Sequence, residues 1–428
     1  MKKRFVLIFV FAFMYSFTSI AYASTAKRLA GETKYDTSAL IVQDGWQQSD
    51  YALLAFGENY PDALSAVPLA KKYDAPILLT SGNSLPTVTK ETLIRLQVKN
   101  VFIIGGTAVI PSSIDTELQG MKISVTRVAG RDRYDTAIKI AEQFPSPTEI
   151  MIVTGEDYPD ALSIGPIAAL KQTPIILVPK DYLPASVQAY LSTNKINKSY
   201  VVGDSTIISD NLVDQFPGSE RIVVGVDKYE RNINVNTEFD HLFSSKDFCL
   251  TTGEGYADAL TGAAYAAKKE LPIVLVNDNP PLITRQFTVD KLNQYNDGVP
   301  YVFGGSVVVP DSVVEYLLTL PDTDQTNKPS APTNLVATPI SSSQITIQWD
   351  QISDADYYHI YYTLHDPNSF LYSFINSDGS KLQCKWFPQS SAQLNDIEAN
   401  TTVYFKVTSV KDGVESNYSN VASALTFP

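Results

Sequence analysis

Residues 57–65 read GENYPDALS, residues 155–163 read GEDYPDALS and residues 253–261 read GEGYADALT. The phrase starts at 57, 155 and 253, an interval of 98 residues both times. Self-similarity at a fixed interval constrains the fold before any local signal does, because each copy has to be one structural unit. The interval extends beyond the phrase: Asp62, Asp160 and Asp258 keep it, and so do Pro76, Pro174 and Pro272. The chain is a tandem triplication.

Each unit has the same order of parts. In the first, Tyr35, Ser38, Ala39 and Val42 fall at i, i+3, i+4 and i+7, the stripe of a helix. The apolar run YALLAF reads as a buried strand ending at Gly57. The repeated phrase then opens a helix, since Pro61 suits a first helical position where its missing N–H costs nothing. Asp62 follows, where a carboxylate interacts favourably with the helix dipole. This helix is expected to run to about Asp74, and Pro76-Ile77-Leu78-Leu79 to be a second buried strand. A helix over about 88–98 leads to a third strand, VFIIGG, and IPSSIDTEL supplies a fourth helix. The second unit repeats the order with RVAG (127–130), RYDTAIKIA (133–141), Pro174-Ile175-Ile176-Leu177 and VVGD (201–204). The third does so with RIVVG (221–225), KYERNI (228–233), Pro272-Ile273-Val274-Leu275 and VFGG (302–305). Strands alternating with helices mean βαβ units and parallel sheets. The expected fold class is α/β: triplicated, small, doubly wound modules with parallel sheets, followed by an all-β domain.

The ends of the chain differ from this body. Lys2, Lys3 and Arg4 precede the apolar run FVLIFVFAFMYSF, and Ala21-Tyr22-Ala23 supplies a small-x-small cleavage site. Residues 1–23 therefore read as a signal peptide, and the mature chain as secreted. Its removal takes away three positive charges and no negative ones, moving the formal charge from −13 to −16. Such acidity argues against nucleic acid and anionic membranes as partners. No second apolar stretch of membrane-spanning length follows, so no membrane contact is expected after signal cleavage. Two cysteines, Cys249 and Cys384, are too few for a disulfide framework. The only sequence near a covalent sorting signal, Leu85-Pro86-Thr87-Val88-Thr89, is internal and ends in Thr, so attachment at a surface is expected to be non-covalent.

The repeated pieces, R-L/V-A-G, R/K-Y-D-T-A, G-E-N/D-Y-P-D-A-L-S, P-I-L-L and G-G, resemble the type 2 cell-wall-binding repeat of Gram-positive surface proteins over about residues 27–320. The resemblance implies three α/β modules packed around a pseudo-threefold axis, which hold an anionic polymer of the cell wall. It also implies that the P-I-L-L segments take part in recognition: Ile77, Leu78 and Leu79, then Ile175, Ile176 and Leu177, then Ile273, Val274 and Leu275. Three departures stand out. Ala257 replaces the phrase's proline, Glu230-Arg231-Asn232 replaces Asp-Thr-Ala, and copy two has Gly203-Asp204 where the others have Gly-Gly. The expectation of a polymer site is therefore weakest for copy three.

Residues 321–332, PDTDQTNKPSAP, have the composition of a linker. Beyond them the rhythm changes to short alternating strands, QITIQWD, YYHIYYT and TVYFKVTSV, which suit a β-sandwich. With P-x-x-P-T-N-L-x-A, Trp349, Leu394 and Tyr404, this part resembles a fibronectin type III domain, in which the Trp is core and the Tyr makes a corner hydrogen bond. The expected boundaries are 24–123, 124–218 and 219–320 for the repeats, 321–328 for the linker and 329–428 for the sandwich.

Several side chains compete for a functional role. Arg28, Arg127 and Arg221 recur with Lys34, Arg133 and Lys228. Paired cations suit phosphate or carboxylate groups, or else bridge modules. Arg28, Lys34, Arg127 and Arg133 are the expected polymer contacts, together with the P-I-L-L residues. Gly105-Gly106, Gly203 and Gly304-Gly305 lie at strand ends, where α/β sheets bind ligands. Tyr60, Tyr158 and Tyr256 offer sugar stacking or packing. Asp62, Asp160 and Asp258 give no defined carboxylate pair of the kind a glycosidase needs. His241, His359 and His365 share no ligand spacing, and no nucleotide, metal or nucleophile motif occurs. The chain reads as a non-enzymatic wall-polymer binder at the cell surface, without cofactor or metal. A modulator of peptidoglycan-acting enzymes is an alternative. So is an adhesin whose sandwich binds a protein or glycan.

Overall fold

Every repeat forms its sheet partly with strands of its own and partly with a strand borrowed from the repeat that follows. The computed structural model describes residues 26–223, 227–244, 247–294, 299–319, 328–355, 357–363, 372–373, 390–395, 397, 399–411 and 414–428. The signal peptide, linker residues 321–327, Cys384 and His365 lie outside the described residues.

The first repeat contains β1 (Lys27–Leu29), α1 (Lys34–Gly45), β2 (Tyr51–Phe56), a 3-10 turn at Pro61–Ala63, α2 (Val67–Lys72), β3 (Ile77–Thr80), α3 (Thr87–Arg95), β4 (Asn100–Ile104) and α4 (Ser112–Gly120). The second contains β5 (Ser124–Val128), α5 (Arg133–Ala141), β6 (Glu149–Thr154), α6 (Pro159–Leu170), β7 (Ile175–Val178), α7 (Ala185–Thr193), β8 (Lys198–Val202) and α8 (Asp210–Val213). The third contains β9 (Ser219–Val223), α9 (Lys228–Glu238), β10 (Cys249–Thr252), α10 (Ala257–Lys269), β11 (Ile273–Val276), α11 (Leu282–Gln294), β12 (Tyr301–Phe303) and α12 (Asp311–Leu318).

The three sheets are wholly parallel, in the orders β3-β2-β4-β5, β7-β6-β8-β9 and β11-β10-β12-β1. The fourth strand in each comes from the R-L/V-A-G segment of the next copy. For the third sheet that strand is β1, so Lys27 pairs with Tyr301 and the three units close into a ring. The sequence repeat and the sheet are thus out of phase, a point invisible from composition because three-residue β1 is too short to read as a strand.

The helix opened by the repeated phrase differs among the copies. It is continuous in α6 and α10 but is interrupted in the first copy, where a 3-10 turn precedes α2. Pro68 stands in the first turn of α2, but Pro166 occupies the equivalent position inside the continuous α6, so the missing proline N–H alone does not make the break. The expected single helix from Pro61 to Asp74 is two short pieces, Pro61–Ala63 and Val67–Lys72. Glycines fit two demands here. Gly105, Gly203 and Gly304 end the third strands with φ of +115°, +115° and +104°, a region that favours glycine. A Cβ on Gly31 or Gly130 would lie 2.3 or 2.4 Å from the first turn of the helix that follows.

The C-terminal domain is a sandwich of antiparallel strands: β13 (Val336–Pro339), β14 (Ile345–Gln348), β15 (Tyr357–Thr363), β16 (Tyr372–Ser373), β17 (Ser391–Leu394), β18 (Thr402–Lys411), β19 (Val414–Glu415) and β20 (Ala422–Leu425). One sheet is β13-β14-β17, and the other is β16-β15-β18-β19 with β20 also on β18. Trp349 is in the core, 5.2 Å from the ring of Tyr358. Tyr404 alternates with the core residues Val403 and Phe405 and so points away from the core. The tethered hydroxyl is that of Tyr358, which accepts from the Ile352 N–H at 2.6 Å.

Arg28 fastens the ring at its closure, donating to the Gly304 carbonyl at 2.8 Å and pairing with Asp311 at 2.6 Å. Asp311 is 81% exposed, so screening leaves the ion pair little weight and the carbonyl bond carries the effect. Arg28→Gln is expected to destabilise the ring by about 1–2 kcal/mol, read as a lower urea midpoint with unchanged slope. A midpoint equal to that of the unsubstituted chain would remove this bond from the closure.

Candidate functional site

The repeated phrase sits on the ring's axis. Its three tyrosines form a triangle: ring centroids are 5.1 Å apart for Tyr60 and Tyr158, 5.2 Å for Tyr60 and Tyr256, and 6.0 Å for Tyr158 and Tyr256. Each hydroxyl donates to a backbone carbonyl of the next copy. Tyr60 reaches Glu156 at 3.4 Å, Tyr158 reaches Gly253 at 3.1 Å and Tyr256 reaches Gly57 at 3.1 Å. Behind them α2, α6 and α10 touch one another, with Gly165 leaving room for Val67 and Ala263. These tyrosines pack the axis, which fixes how the copies sit relative to each other.

Around the axis lie three seams, each formed where the first strand and first helix of one copy meet the sheet and central helix of the copy before. α5 packs on the Pro61–Ala63 turn, α9 on α6 and α1 on α10. In every seam the phrase's aspartate is tucked beneath the strand-end glycine. A Cβ on Gly105, Gly203 or Gly304 would lie 3.0, 3.6 or 2.7 Å from Oδ2 of Asp62, Asp160 or Asp258. Burial pushes the Asp62 carboxyl up, while a hydrogen bond from Thr136 and the charge of Arg133 act against that rise. Burial alone pushes Asp258 up, to about 6. Asp160 is 2% exposed and accepts from Arg231 Nε at 2.9 Å.

The first seam holds a cavity of about 330 Å³. Its floor is Phe56, Asn59, Pro61, Asp62 and Ala63, one wall is Ile104, Gly106, Ala108 and Val109, and the other is Gly130, Arg131, Asp132 and Arg133. These are the carboxyl ends of β2 and β4, the two strands from which the chain departs in opposite directions along the sheet, and the loop entering α5. Ligands of open α/β sheets bind at such switch points. The second copy completes the site, and no reading of one copy alone could find it. Arg131 is 84% exposed, with its guanidinium 3.3 Å from Asp135.

Most of the expected polymer contacts are occupied elsewhere. Ile77, Leu78, Leu79, Ile175, Ile176, Leu177, Ile273, Val274 and Leu275 are all 0% exposed. They fill the core on β3, β7 and β11 and offer no surface to a ligand, because a strand covered on both faces is apolar for packing. Arg127 donates to the Gly105 carbonyl at 2.8 Å and pairs with Asp115; Arg221 does the same with Gly203 and, at 2.7 Å, Asp210. With Arg28 they are one structural device repeated three times. Lys34 pairs with Glu58 at 2.8 Å, and Lys228 with Glu254 at 3.2 Å, both at the surface. Arg133 donates to the Gly155 carbonyl and also lines the cavity. Of the four cations expected at a site, Arg133 alone is among the cavity residues, and Arg131 was missed. His241 and His359 lie in different domains, and among the described residues no group of three His, Cys, Asp or Glu side chains is placed to hold a metal ion. Cys249 is a buried free thiol on β10. No helix of the described residues is long and apolar enough to cross a membrane.

Comparison with known proteins agrees with this arrangement. Residues 28–115, 127–213 and 222–314 match the family Cell wall binding domain 2, and residues 330–424 match the fibronectin type III domain. The chain is 32% identical over 273 residues to the N-acetylmuramoyl-L-alanine amidase LytC of Bacillus subtilis (strain 168), which covers 64% of this chain and 54% of that protein. It is 30% identical over 291 residues to the amidase enhancer of the same organism, covering 67% and 40%. Among solved structures, Cwp6 from Clostridium difficile matches with a TM-score of 0.62 at 28% identity, over 73% of this chain and 51% of that one. The chain spans about half the length, or less, of these relatives.

Asp258 generates a pH-dependent prediction. Its folded pKa, about 6, exceeds the ordinary 3.8, so between those values the folded chain holds a proton that the unfolded chain has released. The contribution is fully present below about 4 and is lost as pH rises through 6. Asp258→Asn is expected to stabilise the protein at pH 7 by up to about 3 kcal/mol and to match the parent near pH 3.5. Urea midpoints at four pH values check this. A difference that does not vary with pH would remove the aspartate's burial as its cause.

Proposed function

The chain belongs to the Cell wall binding domain 2 family, and on that premise we propose that it is an exported protein that attaches non-covalently to an anionic polymer of the Gram-positive cell wall. The observation that carries this reading is the first-seam cavity, which is open to solvent, placed at a switch point and bordered by Arg131 and Arg133. Local cations reconcile a chain of net charge −13 with an acidic ligand. The stretches shared with the amidase and the amidase enhancer are 273 and 291 residues, about the length of the ring. That supports a common anchor joined to different cargo, which here is the fibronectin type III domain. The alternatives are modulation of a peptidoglycan-acting enzyme and adhesion through the sandwich.

The reading is tested by sedimentation of the full chain with purified Bacillus subtilis walls, before and after removal of their anionic polymers. Binding should depend on those polymers. It should weaken with salt, since charges are screened over about 8 Å at physiological ionic strength. Arg131→Gln together with Arg133→Gln should weaken it roughly tenfold or more, the value of charge-assisted hydrogen bonds of about 1.5–3 kcal/mol. Removal of residues 329–428 should leave it unchanged. Sedimentation that survives polymer removal, or that follows residues 329–428, would overturn the reading.

A further inference from the structure

The three seams are not chemically equivalent, and the difference runs between copies rather than within them. In the first seam, Thr136 of α5 faces Asp62; its Oγ1 accepts from the Gly130 N–H at 3.0 Å and leaves the cavity open. In the third seam, Thr37 of α1 holds the same place, accepting from the Gly31 N–H at 3.0 Å. Both seams have a second glycine at the strand end, Gly106 and Gly305, with nothing within 4 Å of where a Cβ would stand.

The second seam replaces both features at once. Where the others have threonine it has Arg231, only 8% exposed, whose Nε is 2.9 Å from Asp160 Oδ1. Where they have the second glycine it has Asp204, on whose carboxyl the positive charge of Arg231 also acts. Asn232, the next departure, donates to Ser163 Oγ and the Ile273 carbonyl, both at 2.9 Å, and accepts from the Leu275 N–H at 3.0 Å. The odd residues of copy two and copy three thus meet across one seam as a charge-compensated, hydrogen-bonded filling. A buried arginine ion pair of this kind is expensive to break once formed.

We infer that this chain binds its polymer at two seams, the first and the third, and that the second is a clasp closed by the buried ion pair of Arg231 with Asp160. This rests on the wall-binding reading above and specifies which surfaces serve it. It also reverses the sequence expectation for copy three. Because sites lie between copies, the substitutions at 230–232 alter the seam with the second sheet, while the third sheet meets the first copy, which keeps Thr37 and has Lys34 in the place of Arg133 and Glu32 in the place of Arg131.

The test places the second seam's carboxylate into the other two. Gly106→Asp and Gly305→Asp add a side chain into open space, so the fold should hold, which thermal melts verify; Gly106→Ala is the neutral control. In sedimentation of the full chain with purified Bacillus subtilis walls, each Asp variant should lose roughly 10²-fold or more in apparent affinity as two-point attachment becomes one-point, and the double variant should not sediment. Asp204→Gly, which leaves the Arg231 pair with Asp160, should bind as the parent does. Asp204→Gly combined with Arg231→Thr should bind more tightly, through a third open seam. Parent-like binding by both Gly→Asp variants, or loss of binding in Asp204→Gly, would overturn the two-seam assignment. Failure of the unsubstituted chain to sediment would instead overturn wall binding itself.

Discussion

The ring stands on an exchange: every copy gives its first strand and first helix to the copy before it. β5, β9 and β1 complete the sheets of their predecessors, and an arginine on each reaches back to the carbonyl of the strand-end glycine. No sheet is complete without its neighbour. The hydrophobic core follows the same rule, because one continuous cluster joins β2, β3 and α2 of the first copy to α10 and Phe303 of the third. The seams that result are built of two copies each, and a ligand placed there touches residues far apart in sequence.

This exchange explains the composition of the nine-residue phrase. The tyrosine is on the axis because only a long side chain with a polar tip can pack against its two equivalents and still reach the neighbour's carbonyl. The aspartate lies beneath a glycine of positive φ, and at Gly105 and Gly304 a Cβ would crowd it. Its burial is a cost, offset by a threonine hydroxyl at Asp62 and by a guanidinium at Asp160, while at Asp258 burial acts alone. Repetition in sequence produced repetition of backbone, and divergence was spent where two copies face each other.

Much of this was readable from the residues. The apolar runs at 51–56, 77–80 and 100–104 are strands, as their composition and bounding glycines required. Parallel pairing followed from the alternation with helices. What could not be read was the partner of R-L/V-A-G, since three residues carry no period and the pairing of Lys27 with Tyr301 is set by ring geometry. For the same reason the recurrent arginines looked like ligand contacts, although their partners are strand-end carbonyls and helix aspartates of the adjoining copy. The buried P-I-L-L strands show the opposite case: apolar runs covered on both faces are core, whatever role is associated with the motif.

The closure of the third sheet has a kinetic side. β5 and β9 join strands that end about twenty residues earlier, whereas β1 must wait for β12, which begins at residue 301. Closing a flexible loop of that length costs about 2 kcal/mol more than closing the short loops. Folding of the intervening copies shortens the gap that Lys27–Leu29 must cross to reach β12. As the chain emerges from its amino end, its earliest residues remain unpaired until nearly the whole ring has been delivered. The polypeptide enters and leaves the finished ring at the same sheet, so the β-sandwich follows directly on the copy whose sheet the chain's first strand closes.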